Sequence, residues 1–248
     1  MTHPFARTEI LLGAQGVRNL ADRHVLIAGV GGVGGYVAEN LARAGIGRLT
    51  LVDHDVVGIS NINRQLVALH STLGRPKVEV MAARIRDIHP QCQVVTRQAF
   101  IDADGAETLL QDLGAELVAD CIDAIACKAA LIAAAQRLDI PVLSSMGAGN
   151  RLDPRRVRVA RLNQTEICPL ARELRALLRK MGASLSFLTV FSDEAPAPAL
   201  PPAAADGPPG RAKTINGTIS FMPALFGVLL AGLVIRQLLE NGENSSFV

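Results

Sequence analysis

The residues in this 248-residue chain that could do chemistry fall into a few clusters. Gly29-Val-Gly31-Gly32-Val-Gly34 fits the spacing G-x-G-x-x-G. Glycines in that pattern let backbone approach a phosphate, and a helix starting there offers free N–H groups and the positive end of its dipole. Asp53 lies 19 residues beyond Gly34, where a carboxylate can hold ribose hydroxyls. These features indicate a nucleotide and do not separate NAD from ATP. Ser60-Asn61-Ile-Asn63-Arg64-Gln65 adds amides and a guanidinium, Lys77 follows 13 residues after Arg64, and Asp123 closes another apolar run. A dinucleotide pyrophosphate carries about two charges, whereas a triphosphate carries about four and benefits from Arg, Lys and a carboxylate-held Mg²⁺. Taken singly, Arg64 and Lys77 could be solvated helix-end charges and Asp123 an N-cap. Taken together at the strand ends of one sheet, they favour ATP with Mg²⁺, Asp123 being the metal-ligating candidate.

Other residues are less specific. Arg151, Arg155, Arg156, Arg158, Arg161, Arg172, Arg175, Arg179 and Lys180 form a basic cluster in a chain whose net charge is only +2. It reads as a surface that tracks RNA phosphates, against the alternative of a solvated face. Cys92 and Cys121 belong to apolar runs and read as buried hydrophobes. Cys127 lies close to Asp123, and His54 and His70 read as packing or polar contacts.

Positioning these groups requires strands that end beside one another. His24–Gly29, Arg48–Asp53, Leu117–Ile122 and Pro141–Met146 are apolar runs of the length expected for strands buried on both faces. Tyr36–Ala44, Val78–Ile88 and Lys128–Leu138 are spaced as helices between them, with a short strand at Gln93–Arg97. Alternation of this kind predicts a doubly wound, mostly parallel α/β sheet with a Rossmann-like nucleotide site. A β/α extension follows: strands at Val157–Leu162 and Leu185–Phe191 around a basic helix at Pro169–Met181. Glu9–Leu20 reads as short helical pieces broken by Gly13 and Gly16. Residues 193–213 are Pro/Ala/Gly-rich and read as a mobile loop, so residues 1–248 are expected to form a single domain.

Thr214–Ile235 carries no charge over 22 residues, long enough for a membrane span. Polar residues at its start and interruptions at Pro223 and Gly227 leave about 13 apolar residues before Arg236, too few to span. A buried helix is the favoured reading, with membrane association through 217–235 left open. Apolar residues are 49% and charged residues 19%, which excludes long-range disorder. Aromatics are 3%, with no Trp, so a surface of stacked aromatic platforms for single strands is excluded. Four cysteines without a C-x-x-C pair exclude a paired zinc site and point to a reducing, cytoplasmic setting. The first residues lack the apolar core of a signal peptide.

GVGGVG, LVDHD, SNINRQ, GRPKVE and the CID segment occur in an order and spacing that resembles the ThiF/MoeB/HesA superfamily of ubiquitin-activating-type adenylating enzymes. That resemblance implies ATP-dependent adenylation of a carboxylate. It implies cofactor-binding roles for Gly29, Gly31, Gly32, Gly34, Asp53, Asp55, Ser60, Asn61, Asn63, Arg64, Gln65, Lys77 and Asp123, with Asp53 on ribose, Asn61, Arg64 and Lys77 on phosphates and Asp123 on Mg²⁺. Arg7 matches an N-terminal arginine that in homodimers reaches the neighbouring subunit's ATP, so Arg7, Arg64, Lys77 and Asp123 are the catalytic candidates. Sulfur-carrier activators of the superfamily usually have two C-x-x-C pairs and a longer C-terminal half. Gly147-Ala-Gly-Asn-Arg-Leu-Asp153-Pro154, Thr165-Glu-Ile-Cys-Pro169, Val190-Phe-Ser-Asp-Glu194 and Gly217-Thr-Ile-Ser-Phe-Met-Pro223 instead resemble the tRNA threonylcarbamoyladenosine dehydratase branch. The implied reaction is dehydration of threonylcarbamoyladenosine at nucleotide 37 of tRNA through an acyl-adenylate. A cysteine desulfurase system is a further implied partner. Arg161 and Cys168 stand where that branch is expected to have acids, and Thr189 where some relatives have cysteine. The alternatives are an adenylyltransferase for the C-terminus of a small ubiquitin-like sulfur carrier, and an NAD-dependent oxidoreductase, which Arg64, Lys77 and Asp123 disfavour.

Overall fold

The buried apolar runs become the centre of one seven-stranded sheet. The computed structural model describes residues 3–198 and 216–240, so most of the expected loop at 193–213 lies outside the described residues. In chain order the main elements are α1 (Ala6–Ala21), β1 (His24–Ala28), α2 (Gly34–Ala44), β2 (Arg48–Val52), α3 (Lys77–Ile88), β3 (Gln93–Arg97) and α4 (Ala106–Leu113). They continue with β4 (Leu117–Asp120), α5 (Ile125–Arg137), β5 (Val142–Ser145), β6 (Val157–Arg161), α6 (Pro169–Lys180), β7 (Leu188–Ser192) and α7 (Phe221–Glu240). The strand order is β3-β2-β1-β4-β5-β7-β6, parallel except for β6, which runs antiparallel to β7 at the edge. β1, β4 and β5 are buried at every position, and the polar residues they carry, His24, Asp120, Ser144 and Ser145, are all hydrogen-bonded. One core cluster joins the sheet to α2, α3 and α7, the other joins it to α4, α5 and α6.

Three local expectations are corrected. α1 does break at Gly13, whose φ of 71° and ψ of 165° are non-helical, as expected, while Gly16 is buried within the second helical piece and does not interrupt it. α4 was absent from the pattern reading, although Ala106, Leu110 and Leu113 bury at helical spacing between Gly105 and Gly114. α7 runs 20 residues, starting before Pro223 and continuing through Gly227. A proline in the first turn costs little, because the N–H groups there have no intrahelical partner. Gly227 lies against α2: a Cβ there would be 2.5 Å from the Val33 carbonyl and 2.7 Å from Tyr36 Cβ. By length and composition α7 could therefore cross a membrane, with a mean hydropathy of 1.9. In the fold it packs on α2 and the sheet, burying Met222, Phe226, Leu230, Val234 and Leu238 and leaving Val228 and Leu229 exposed.

Candidate nucleotide and active site

β1 ends where the glycine turn begins, and that turn is sterically dictated. Gly29 has φ 88°, and a Cβ on Gly34 would sit 1.7 Å from the Gly29 carbonyl oxygen. Only glycine at position 34 lets α2 start this close to β1, which aims its N-terminus across the end of the sheet. Asp53, just past β2, ties the turn down: its carboxylate accepts from Val30 N at 2.7 Å and Asp55 N at 2.9 Å.

The turn opens onto a cavity of about 450 Å³ at the carboxyl ends of the strands. Gly29, Gly31, Gly32, Asp53, Asp55, Asn61, Arg64, Gln65, Lys77 and Asp123 all line it. Lys77 begins α3, is buried, and donates from Nζ to Asp55 Oδ2 at 2.7 Å. Arg64 donates from Nη1 to the Ser60 carbonyl and to Asn63 Oδ1, each at 2.9 Å. Asn61 Oδ1 accepts from Gly58 N, closing the short turn that delivers Arg64. Gln65 is buried, and its Oε1 has no hydrogen-bond partner among the described residues.

Four predicted site residues lie elsewhere. Gly34 is buried behind the turn, and Ser60 supports Arg64 through its carbonyl. Asn63 donates to the Thr218 carbonyl at 2.9 Å, tying the segment before α7 to the site. Arg7 is exposed on α1 and is not among the residues lining its own chain's cavity.

Asp123 is not at the strand end. β4 stops at Asp120, and Asp123 is exposed in the connection to α5, whose N-cap position is Ala124. The strand-end carboxylate is Asp120, and it faces inward. Asp120, Lys128 and Ser144 are all 0% exposed. Lys128 Nζ donates to Asp120 Oδ2 at 2.5 Å, to Ser144 Oγ at 3.2 Å and to the Ser145 carbonyl at 3.0 Å. Ser144 Oγ donates to Asp120 Oδ2 at 2.6 Å, and Asp120 Oδ1 accepts from Ile122 N at 3.1 Å. This buried cluster shapes the loop that carries Asp123. Sequence reading missed it, though a lysine inside an Ala-rich helix eight residues after an aspartate was its signal.

Reading by pattern also missed Gly147–Gly149 after β5, Asn216, Thr218 and Pro223 before and within α7, and Phe100 after β3. Phe100 is exposed and meets His54 edge-on at 5.0 Å. Cys121 and Cys127 also line the cavity. Burial pushes the Cys121 thiol far above its ordinary range, and pushes Cys92 up to about 11, so both rest as thiols.

The basic cluster is largely spent within the fold. Arg155 pairs with Asp153, and Arg156 and Arg158 pair with Asp193. Arg161 donates to the Ser186 carbonyl, Arg175 bonds Thr165, and Arg151 is buried. Arg172, Arg179 and Lys180 on α6 are exposed and carry no side-chain partner among the described residues. A larger cavity of about 780 Å³ lies at the amino ends of β5 and β7 and contains none of the nucleotide-site candidates, although Arg161 of the basic cluster lines it. Ligands of open parallel sheets bind at the other end.

A doubly wound sheet with a glycine turn, a carboxylate after β2 and convergent cations at its carboxyl edge defines a nucleotide-binding α/β protein. Residues 5–247 match the ThiF family, and the chain belongs to that family. It is 39% identical over 248 residues to a Bacillus subtilis protein named tRNA threonylcarbamoyladenosine dehydratase, covering 98% of this chain and 97% of that one. It is 40% identical over 198 residues to an Escherichia coli protein of the same name, covering 77% of this chain and 74% of that one. The solved structure of Escherichia coli tRNA N6-threonylcarbamoyladenosine dehydratase in complex with ATP superposes with a TM-score of 0.85 at 33% identity, covering 98% of this chain and 96% of that chain.

Proposed function

We propose that this chain is an ATP-dependent tRNA threonylcarbamoyladenosine dehydratase. The observation that carries the reading is the single cavity that gathers the glycine turn, Asp53, Arg64, Lys77 and Asp123. The near whole-chain similarity to proteins of that name supports it. In this reading Gly29, Gly31 and Gly32 approach the phosphates, Asp53 faces ribose, and Asn61, Arg64 and Lys77 meet the triphosphate charge. Asp55 holds Lys77 in place, Gln65 offers its unpartnered Oε1, and Ser60, Asn63 and Gly34 act as supports.

The donor set fits Mg²⁺. Asp123 is an exposed cavity-lining carboxylate with no hydrogen bond or ion pair among the described residues, and one carboxylate plus phosphate oxygens suits this hard cation. Asp53, His54 and Asp55 also cluster, but Asp53 is engaged by two amides and Asp55 by Lys77. Bound at Asp123, the ion would neutralise phosphate charge.

The substrate carboxylate oxygen attacks the α-phosphorus, and pyrophosphate leaves. The ureido oxygen then attacks the acyl carbon, a proton departs from the ureido nitrogen, and AMP leaves with the second bond. The net change is loss of one water from the nucleoside. No protein nucleophile is needed, so catalysis rests on positioning and on charge stabilisation by Arg64 and Lys77. A homodimer would bring the partner's guanidinium, through position 7, to each site. A tRNA substrate fits the cytoplasmic setting expected from the cysteine usage. The exposed cations Arg172, Arg179 and Lys180 are the solvent-facing part of the basic cluster available to RNA backbone. A desulfurase partnership would need a sulfur relay, and Thr189, 0% exposed within β7, supplies none at that position.

The test is incubation of the purified protein with ATP, Mg²⁺ and tRNA carrying the linear nucleoside, followed by nucleoside mass spectrometry. A product lighter by one water, with stoichiometric AMP, is expected. AMP formation only with a Gly-Gly-tailed small protein would replace this reading with the sulfur-carrier one.

A further inference from the structure

Functional groups follow strand order along the carboxyl edge of the sheet. Asp53 and Ala99–Ile101 mark the β2–β3 side, the glycine turn and Asp123 mark β1 and β4, and Gly147–Gly149 form the wall after β5. Past that wall, beside the end of β7, lies a separate cavity of about 420 Å³ lined by Arg151, Leu152, Glu194, Ala197, Gly217 and Thr218 among others. Thr218 lines both cavities, so the two adjoin.

Arg151 is 6% exposed. Its Nη1 donates to the carbonyls of Gly147 at 2.7 Å and Gly149 at 3.0 Å. Its Nε and Nη2 are buried and have no hydrogen-bond partner among the described residues. A guanidinium stays charged and brings five donors, so a buried one with unmet donors is costly until an anion meets it. The nearby acids are engaged otherwise. The Glu194 carboxylate accepts from the Leu152 and Asp153 amides and makes no ion pair with Arg151, while Asp153 and Asp193 pair with Arg155, Arg156 and Arg158.

The cavity walls are fixed rather than loose. Asn150, at φ 58°, uses every polar group it has. Its N donates to the Gly217 carbonyl at 2.8 Å, its Oδ1 accepts from Gly217 N at 2.6 Å, its Nδ2 donates to Asn216 Oδ1 at 2.9 Å, and its carbonyl accepts from Ala197 N at 2.8 Å.

We propose that this cavity is a phosphodiester subsite for the RNA strand, with Arg151 as its cation, and that the substrate reaches the nucleotide from the β5–β7 side. The inference rests on the tRNA reading above. A nucleoside within RNA carries a phosphodiester on each side of its ribose. One whose carboxylate meets the α-phosphate therefore carries its phosphodiesters on the far side of the base, outside the nucleotide cavity and toward a neighbouring one. The adjoining cavity is lined by a cation with three N–H donors unmet.

The experiment measures binding of an unmodified tRNA transcript to the full-length protein across a salt series, with ATP affinity measured in parallel. Arg151→Met is expected to weaken tRNA binding about tenfold and to lower the log–log salt slope by about one, as for loss of one phosphate contact. ATP affinity should stay within about twofold. Arg151→Gln, which keeps a donor for the Gly147 and Gly149 carbonyls without the charge, should match Arg151→Met. Arg151→Lys should recover the salt slope. Wild-type tRNA affinity and slope in the Gln and Met variants would overturn the subsite. So would equal losses of tRNA and ATP affinity, which mark Arg151 as a prop for the wall. Failure of the wild-type protein to bind tRNA would instead overturn the tRNA reading on which the subsite rests.

Discussion

Asp120 and Asp123 are three residues apart and have opposite fates. Asp120 is sealed in with Lys128 and Ser144, whereas Asp123 is exposed in the nucleotide cavity. The difference follows from the end of β4: the last strand residue points into the layer between sheet and α5, and the connection beyond it turns outward. Lys128→Met should then leave an uncompensated buried carboxylate and destabilise by about 3–5 kcal/mol, a fall of roughly 10 °C in melting temperature. Asp120→Asn combined with Lys128→Met removes both charges and should recover a large part of that loss. A thermal melt of the three proteins decides, and equal melting of single and double variants would deny the pair its role. Asp123→Ala should keep the wild-type melt and lose nearly all AMP production, since charge stabilisation at a phosphate is worth several kcal/mol. Wild-type turnover in that variant would rule out the metal-binding role proposed for Asp123.

Helices α2 and α3 are fastened by one buried acid between two arginines. Glu39 accepts from Arg84 Nε at 2.5 Å and from Arg43 Nε at 2.8 Å. Burial by itself would raise its pKa, but the hydrogen bonds from Arg84 and Arg43 outweigh it and hold the carboxyl below its ordinary 4.5. The lowered value in the fold means that Glu39 contributes stability above about pH 4.5, and that this is lost as pH falls through the folded value. Wild type should lose more stability than Glu39→Gln on acidification from pH 6 to about pH 3. Both arginines are about half exposed, so the difference should stay at or below about 1 kcal/mol per pair. Denaturant melts at the two pH values measure it, and parallel losses in both proteins would count against the staple. At the same scale, α7 shows how composition misleads. Its apolar length suits a bilayer, but Gly227 lets it lie against Val33 and Tyr36, where α2 covers one face.

For the whole molecule, the placement of Arg7 matters most. It is exposed on α1, outside the cavity that holds the other candidates. If two copies exchange α1, each site is completed by its partner. Arg7→Ala and Lys77→Ala homodimers should each be nearly inactive, because a charge-assisted contact to phosphate is worth roughly 1.5–3 kcal/mol. Mixed dimers would place both defects in one site and neither in the other, so about half of their sites should work. Recovered AMP production after mixing the two inactive proteins is the expected result. Full activity of Arg7→Ala alone would exclude the crossing.

That the glycine turn, Asp53, Asn61, Arg64 and Lys77 gather at one place was legible before any coordinates, because the strand–turn–helix pattern follows local rules, while the ligand roles proposed for them come from the family resemblance. A strand must end, a helix must begin, and only glycine tolerates the approach between Gly29 and Gly34. The mostly parallel sheet was legible from the alternation of apolar strands with helices, whereas the order of the strands within it was not. Other features depended on which elements meet. Residues 147–149 and 216–218 are far apart in the chain and share a wall only because β5, β7 and the start of α7 are neighbours. The burial of Arg151, and the pairing of Arg155, Arg156 and Arg158 with acids, were equally out of reach of composition. Burial and ion pairing are set by packing between distant segments, and a charged residue carries no local mark of whether it faces water, an acid or an empty cavity wall.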